Sequence, residues 1–285
     1  MSPAEQVPAE IDTTRPSTAR LYDYYLGGTN NFEVDRQAAE QLRKQLPELA
    51  DAAWANRGFH GRAAAWMASD QGIRQFIDLG SGLPTQNNTH EVVHAVLPSA
   101  RIVYVDSDPM VATHSRDLLA HSERTALVTA DLREPDAVLS HPDLRQLIDF
   151  DQPIGVLMTA VMHFISDDED PWGIVARYMD AVPAGSYLAL SHATYEQLPP
   201  QAVQAMYDVY ERATSHIYLR SKADITRFFD GMEMIQPHAG AQSSVCFVGC
   251  WGAEDPDEAD SDGSRVLRCG VARAPGGGSR PVSGR

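Results

Sequence analysis

The stretch Phe76-Ile77-Asp78-Leu79-Gly80-Ser81-Gly82 decides the fold of this 285-residue chain. Its apolar residues predict a short strand that is buried on both faces, as in the centre of a parallel sheet. Gly80 and Gly82 permit a sharp turn after that strand and a close approach of the backbone to a ligand. Asp78 lies two residues before the first glycine, at the strand end where open α/β sheets bind their ligands. The stretch therefore predicts a ligand-binding turn on an α/β domain.

Two kinds of nucleotide-binding turn compete for this sequence. A dinucleotide-binding turn has a third glycine, in the pattern Gly-x-Gly-x-x-Gly, but this chain has Pro84 and Thr85 at that place. The form Asp-x-Gly-x-Gly resembles instead the nucleoside-binding turn of S-adenosylmethionine-dependent methyltransferases. A glycine turn on some other α/β domain is a third interpretation, because so short a motif is only moderately specific.

Composition narrows the class of protein. The length allows one sizeable core, or one large domain with an added helical piece. The net charge of −16 argues against a nucleic-acid partner, because an anionic surface repels the phosphate backbone. The chain has no apolar run of roughly 18 residues that could span a membrane, and its first residues do not form a signal peptide. We expect a cytoplasmic protein that does not contact membranes.

The chain offers no recognisable metal motif. Cys246, Cys250 and Cys269 form neither a disulfide framework nor a zinc finger with paired ligands, and the histidines lack metal-ligand spacing. Buried, reduced thiols and no bound metal are the expectation.

Helix and strand patterns divide the chain into four segments. Residues 1–16 lack periodicity and predict a disordered leader. Residues 17–70 predict three helices, the first capped by Ser17 and ended by Gly27-Gly28, and the third carrying Trp54, Phe59 and Trp66 for packing. Strands and helices then alternate over residues 71–273, which is typical of a parallel sheet with helices on both faces. Residues 274–285 predict a flexible tail.

Seven strands are expected, at 76–79, 101–105, 125–128, 154–158, 185–191, 232–235 and 266–271. The helices are expected from residue 17, then at 33–46, 49–68, 89–97, 109–121, 135–139, 172–181, 201–214 and 221–229. Residues 254–262 hold six acidic residues among nine and predict a solvated loop.

The strand ends carry a family resemblance. In order they read Asp78-x-Gly80-x-Gly82, Asp106, Asp131 and Thr159-Ala160, which resembles the Rossmann-like class I methyltransferase fold, a seven-stranded sheet with an antiparallel last strand. The run Arg20-Leu21-Tyr22-Asp23-Tyr24-Tyr25-Leu26-Gly27-Gly28-Thr29-Asn30-Asn31-Phe32, with segments 76–85, 103–109, 130–133 and 184–188, resembles a bacterial S-adenosyl methyltransferase family long filed as a domain of unknown function. The likeness covers roughly residues 14–273. It implies fold and cofactor, S-adenosylmethionine, and says little about the substrate.

The resemblance implies roles for two aspartates. Asp106 would accept hydrogen bonds from both ribose hydroxyls; the alternative is a helix cap, for which Asp108 is better placed. Asp131 would contact the adenine amino group with Leu132 against the ring, or would simply cap its strand end. The glycines would face the methionine portion, and Asp78 would orient backbone amides or water. The expected cofactor-binding residues are Tyr22, Asn31, Asp78, Gly80, Ser81, Gly82, Asp106, Ser107, Asp131, Leu132, Thr159 and Ala160.

His163 is the candidate catalytic residue. The segment 160–164, followed by acids at 167–169, resembles the part of small-molecule O-methyltransferases that carries a histidine general base. His163 would then take a hydroxyl proton during methyl transfer, since histidine titrates near neutral pH. The alternative is a structural histidine bonded to a loop carbonyl. His192 is a weaker second candidate.

The N-terminal helices 17–70 are interpreted as a lid. Tyr22, Tyr25, Asn31 and Arg36 would reach inward, and closure would exclude water from methyl transfer. The alternative is ordinary packing of aromatic residues against the sheet.

The sequence thus predicts an S-adenosylmethionine-dependent methyltransferase with a small-molecule acceptor, O-methylation being one hypothesis. Tyr207, Tyr210 and Tyr218, near Met206, could line the acceptor pocket or belong to the core. The alternative of a different class is a cofactor-binding regulatory or scaffold protein without turnover. Pro84 and Thr85 disfavour an NAD-dependent oxidoreductase. The oligomeric state is not predicted.

Overall fold

The computed structural model describes residues 11–119 and 122–275, with the backbone alone at 116–119. The strands are β1 Gln75–Leu79, β2 Arg101–Asp106, β3 Thr125–Thr129, β4 Gly155–Thr159, β5 Tyr187–Ala193, β6 Glu233–Met234, β7 Cys246–Phe247 and β8 Leu267–Arg273. The helices are α1 Thr18–Tyr25, α2 Glu33–Arg43, α3 Leu49–Ser69, α4 Thr89–Val96, α5 Pro109–Leu119, α6 Pro135–Leu139, α7 Pro142–Leu147, α8 Pro171–Ala181, α9 Pro200–Tyr210, α10 Lys222–Thr226 and α11 Pro256–Ala259.

All of these strands belong to one sheet. Its order is β3-β2-β1-β4-β5-β8-β6, with β7 pairing to β8. Strands β1 to β5 are parallel, and β8 runs antiparallel to its neighbours β5, β6 and β7. The predicted α/β class I methyltransferase fold is confirmed, but the prediction of seven strands is wrong. The sheet has eight strands, because the two-residue β7 pairs Cys246 with Cys269.

The sheet separates two hydrophobic cores. Successive residues of a strand point to opposite faces, so Phe76 packs in the core with α3 while Ile77 packs in the core with α8. Strand β1 is buried along its whole length. Three of its residues are apolar, and its two polar residues, Gln75 and Asp78, have hydrogen-bond partners. The strand order reverses between β1 and β4, and such a reversal opens a crevice at the carboxyl ends of the strands.

The N-terminal helices are joined by a buried ion pair. The Arg20 Nε donates to Asp35 Oδ2 at 2.7 Å, and the two side chains are 2% and 0% exposed. Asp35 also accepts the Ser17 and Phe32 backbone N–H groups. The Ser17 hydroxyl donates to Asp108 Oδ2 at 3.0 Å. The start of helix α1 is therefore attached to the loop that follows β2.

Several predicted segments differ from the structure or lie outside it. Residues 1–10 of the predicted leader and 276–285 of the predicted tail lie outside the described residues, as do 120–121 of the predicted helix 109–121. The aromatic residues of the third helix, Trp54, Phe59 and Trp66, were predicted to pack against the rest of the protein. This prediction is wrong for Trp54, which is 40% exposed. The acidic stretch contains the short helix α11. In the described part of the chain, no helix is long and apolar enough to cross a membrane.

Candidate functional site

A cavity of about 460 Å³ lies at the carboxyl ends of the parallel strands, with α1 and α3 forming its opposite wall. Because parallel strands end at one edge of the sheet, residues far apart in sequence meet there. The cavity brings together most of the predicted site residues: Tyr22, Gly80, Ser81, Gly82, Asp106, Ser107, Asp131, Leu132, Thr159, Ala160 and His163.

The glycine turn forms the floor of the cavity. Gly80 and Gly82 have φ angles of +71° and +67°, which favour glycine. A Cβ atom at Gly80 would lie 2.2 Å from the Val161 Cγ2 atom. The turn therefore requires glycine at position 80 for two reasons, and it presents bare backbone to a ligand.

Asp106 holds this turn. Its Oδ2 accepts the Gly82 N–H at 2.8 Å, and its Oδ1 accepts the Asp108 N–H at 2.9 Å. These bonds leave further lone pairs on the carboxylate. Burial raises the pKa of Asp106 to about 6. The alternative role as a helix cap belongs to Asp108, whose Oδ1 accepts the Met110 N–H at 2.8 Å.

Asp131 lies at the next strand end and is paired with Arg133. The arginine Nε donates to both carboxylate oxygens, at 3.0 and 2.9 Å, and its Nη1 donates to Glu169 at 3.1 Å. Although burial acts in the opposite direction, the hydrogen bonds from Arg133 lower the pKa of Asp131. The carboxylate is therefore an ionised acceptor at the rim of the cavity.

Asp78 does not line the cavity, and its predicted role in cofactor binding stays a prediction. Its buried Oδ2 accepts the Thr89 hydroxyl at 2.6 Å. Thr89 Oγ1 lies 2.8 Å from His60 Nε2, and His60 Nδ1 lies 2.9 Å from Thr159 Oγ1. Burial raises the pKa of Asp78 to about 6 and lowers that of His60 to about 3. Asp78 thus reaches the cavity only through the chain Thr89–His60–Thr159.

Asn31 also does not line the cavity. Its Nδ2 donates to Asp23 Oδ2 and to the Gly28 carbonyl, both at 2.9 Å. Arg36 donates to the Asn31 carbonyl and side chain instead of reaching inward. These residues hold the turn between α1 and α2, because the glycines leave backbone groups there that need partners.

Helix α3 contributes polar residues that the sequence analysis missed. Asn56 accepts the Ser191 hydroxyl at 2.5 Å and donates to the Tyr22 hydroxyl at 2.8 Å. Arg57 and His60 also line the cavity. The available signal was the spacing of Asn56 and His60, since residues four apart share one face of a helix.

His163 lies on the cavity wall after β4. Its Nδ1 accepts the Ala193 N–H at 3.2 Å, which assigns the ring proton to Nε2. Burial and the nearby Arg220 charge lower the pKa of His163 to about 3. His192 does not line the cavity: its Nε2 faces Arg220 Nη1 at 2.7 Å and its Nδ1 faces the Ala193 carbonyl at 2.7 Å.

The remaining wall of the cavity is apolar and aromatic. Phe164 and Tyr210 lie with their ring centroids 5.7 Å apart, and the wall includes Tyr25, Phe164, Met206, Tyr210, Ile217 and Leu267. Of the three tyrosines proposed for the acceptor pocket, Tyr210 lines the cavity, whereas Tyr207 and Tyr218 do not.

The cysteines lie away from this cavity. Cys269 is buried, Cys246 and Cys250 are half-buried, and all three are free thiols. Within residues 11–119 and 122–275, no group of three or more His, Cys, Asp or Glu side chains is placed to hold a metal ion.

Comparison with known proteins assigns the family. The model of the S-adenosyl methyltransferase family matches residues 4–275. The chain belongs to this family. A search of curated proteins found no match.

Two crystal structures resemble this S-adenosyl methyltransferase over nearly its whole length. A candidate methyltransferase from Thermobifida fusca YX is 38% identical, with a TM-score of 0.87 over 95% of this chain and 100% of that one. A DUF574 family protein from Streptomyces avermitilis MA-4680 is 38% identical, with a TM-score of 0.85 over 93% of this chain and 99% of that one.

S-adenosylmethionine is the cofactor of this S-adenosyl methyltransferase. The residues of the cavity fit such a molecule. The glycine turn excludes any Cβ at position 80, Asp106 retains lone pairs for hydroxyl donors, and the buried Nε of Arg57 has no partner within the described residues. Each feature leaves bare backbone or unused hydrogen-bonding capacity for a nucleoside with an amino-acid arm.

Proposed function

We propose that this methyltransferase acts on a small, largely apolar molecule and transfers the methyl group to an oxygen atom of it. The observation that carries the apolar acceptor is the wall formed by Phe164, Met206 and Tyr210 in a cavity of about 460 Å³. That volume is typical of a small-molecule site, in which apolar walls surround a few polar groups. The oxygen acceptor rests on the resemblance of segment 160–164 to small-molecule O-methyltransferases.

We propose that the strand ends bind the cofactor. Asp106 accepts the ribose hydroxyls, with Ser107 beside it, and Asp131 accepts the adenine amino group, with Leu132 against the ring. The methionine arm lies along the glycine turn. The residues proposed to contact this arm are Tyr22, Gly80, Ser81, Gly82, Thr159 and Ala160, and Asp78 supports them through His60.

The bound cofactor supplies an electrophilic methyl group on its sulfonium. The protein's main contribution is position: holding two reactants in place can remove roughly 7–11 kcal/mol from a barrier, whereas a general base contributes about 3–5 kcal/mol. The strand ends fix one reactant, and the wall of Phe164 and Tyr210 holds the other. Helices α1 and α3 cover both and exclude water.

The base role of His163 stays a prediction, and one contact weighs against it, together with the tautomer that this contact fixes. The lone pair on Nδ1 accepts the Ala193 N–H, and Nε2 carries the proton. We expect His163→Ala to retain affinity for S-adenosylmethionine and to lower turnover by less than about 10-fold, below the 10²–10⁴-fold of a general base. Turnover measured from pH 5 to 9, with His192→Asn as the control, tests this. A loss of 100-fold or more would restore the base hypothesis.

Cofactor affinity should depend on the ionisation of Asp106. Burial raises its pKa to about 6 in the free protein, and ribose hydroxyls that donate to the carboxylate favour the ionised form. Affinity for S-adenosylhomocysteine should therefore be constant above about pH 7 and fall below about pH 6, by up to about tenfold per pH unit. Calorimetry across this range, with Asp106→Asn as the variant that lacks the titration, checks the slope. A flat wild-type profile would contradict the ribose contact.

An assay of methyl transfer distinguishes the enzyme hypothesis from the scaffold hypothesis. We expect label from S-adenosylmethionine with a radioactive methyl group to appear on small, extractable metabolites. Binding of S-adenosylhomocysteine with no transferred label in any fraction would support a regulatory or scaffold role instead. The cytoplasmic location remains a prediction.

A further inference from the structure

Arg57 lines the cavity and has no ion-pair partner among the described residues. Its side chain belongs to α3 and is 8% exposed. Its buried Nε has no hydrogen-bond partner, and no carboxylate of the described residues lies within 4.0 Å of the guanidinium. A buried charge without a partner is costly, so a ligand that neutralises it would stabilise the closed cavity.

The charged groups around Arg57 do not neutralise it. Arg57 acts electrostatically on the Asp78 carboxyl, but the Oδ2 of Asp78 accepts the Thr89 hydroxyl and burial raises the pKa of this carboxyl to about 6. Burial and the Arg57 charge lower the pKa of His60, so this ring is neutral. The face of the Tyr22 ring lies 5.9 Å from the guanidinium carbon and supplies only partial negative charge.

The position of Arg57 identifies which part of a ligand it meets. Its Nη2 donates to Thr85 Oγ1 at 3.1 Å, so the guanidinium lies beside the loop that continues the glycine turn. The ribose and adenine positions at Asp106 and Asp131 are on other strands, and the aromatic wall is built from residues after β4 and in α9. A guanidinium binds a carboxylate through two parallel hydrogen bonds.

We infer that Arg57 binds the carboxylate of the methionine arm of S-adenosylmethionine. The inference rests on the proposed cofactor site and adds the residue that recognises the amino-acid end. Thr85 positions the guanidinium, and the guanidinium N–H groups other than the buried Nε supply the donors for the carboxylate. Without this contact, the Arg57 guanidinium and the carboxylate of the methionine arm would both be buried charges that lack a partner.

The test compares S-adenosylmethionine with decarboxylated S-adenosylmethionine, which differs only in the carboxylate. The wild-type protein should bind the carboxylated form roughly 10- to 100-fold more tightly, as expected for a charge-assisted hydrogen bond. In Arg57→Gln this preference should disappear, with affinity for the decarboxylated form within about threefold of wild type. Arg57→Lys should recover part of the preference, because lysine keeps the positive charge but cannot form two parallel hydrogen bonds to a carboxylate.

Two further variants make the result decisive. Arg62→Gln is the matched control, because Arg62 lies on the same helix and binds backbone carbonyls of residues 248, 249 and 251; its preference should equal that of wild type. Thr85→Val removes only the hydroxyl that orients Arg57, and it should reduce the preference even if Arg57→Gln does not fold.

Two results would overturn the inference alone. In the first, the wild-type protein binds S-adenosylmethionine and decarboxylated S-adenosylmethionine with equal affinity. In the second, Arg57→Gln weakens the binding of both ligands by the same factor. In either case the cofactor site would stand. Failure of the wild-type protein to bind either nucleoside would instead reject the proposed cofactor site together with the role of Arg57.

Discussion

Asp106→Ala is expected to weaken binding of S-adenosylhomocysteine by roughly 100-fold or more. Each hydrogen bond from a ribose hydroxyl to an ionised carboxylate is worth about 1.5–3 kcal/mol, and two of them are lost. The carboxylate also accepts the Gly82 N–H at 2.8 Å, so its removal releases the glycine turn. Isothermal titration calorimetry at pH 7.5, where Asp106 is ionised, measures the effect.

The control for this prediction is Asp136→Ala. Asp136 is 78% exposed and pairs with Arg177 on the surface, so its removal should not change affinity. Asp106→Asn keeps the size of the side chain but loses its charge, and we expect an intermediate affinity with the same unfolding temperature as the ligand-free wild type. Affinity of Asp106→Ala within threefold of wild type would mean that the nucleoside binds elsewhere.

The sequence predicted the centre of the sheet well because burial on both faces constrains it. Strand β1 spans Gln75–Leu79 against a prediction of 76–79, and each end of the first five strands lies within two residues of its predicted position. Such strands are rich in apolar residues on both faces, and a single sequence displays this pattern. The strand β7 has only two residues, and the residue after it, Val248, accepts a hydrogen bond from the distant Arg62 at 2.9 Å. No local pattern carries that information.

Helix ends were predicted less well, for a related reason. The helix predicted over 201–214 ends at Tyr210, and the following chain turns to let the Thr214 N–H bond the Pro16 carbonyl at 2.8 Å. The partner lies 198 residues earlier in the sequence. Helix α7, Pro142–Leu147, was not predicted at all, being too short to show a period.

The residues of the site also differ in how well the sequence predicted them. Residues that directly follow strands, such as Asp106 and Asp131, were predicted because the end of a strand fixes their place. Asn56, Arg57 and His60 lie within a helix predicted only to pack, and their role depends on how α3 crosses the sheet. For Asp78 the sequence left the direction of the side chain open, because a residue inside the strand end can face either the ligand or the helix behind it. Its bond to Thr89, the first residue of α4, decides for the helix.

Asp35→Ala is expected to lower the free energy of unfolding by about 3–5 kcal/mol, because it leaves the charge of Arg20 buried without a partner. Asp35 is fully buried and accepts hydrogen bonds from Arg20 Nε and from the Ser17 and Phe32 backbone. All of these donors belong to the N-terminal helices or their caps. Urea unfolding of the ligand-free protein measures the loss.

Glu33→Ala is the matched control on the same helix. Glu33 is 68% exposed and pairs with Arg36 three residues away, and such surface pairs contribute little. We expect no measurable change in its unfolding. An unchanged midpoint for Asp35→Ala would contradict the burial of the pair.

The double variant Arg20→Met with Asp35→Leu separates the stability of the N-terminal helices from their position. Replacing both charges by apolar residues removes the unpaired cation, so most of the lost unfolding free energy should return. Leucine cannot accept the Ser17 N–H, and the Ser17 hydroxyl holds α1 to Asp108 at 3.0 Å, next to the proposed ribose site. Affinity for S-adenosylhomocysteine should therefore stay below wild type while stability recovers. Full recovery of both the affinity and the unfolding free energy would show that the ion pair stabilises the fold without positioning the N-terminal helices. The aromatic packing of α1 would then suffice to position these helices.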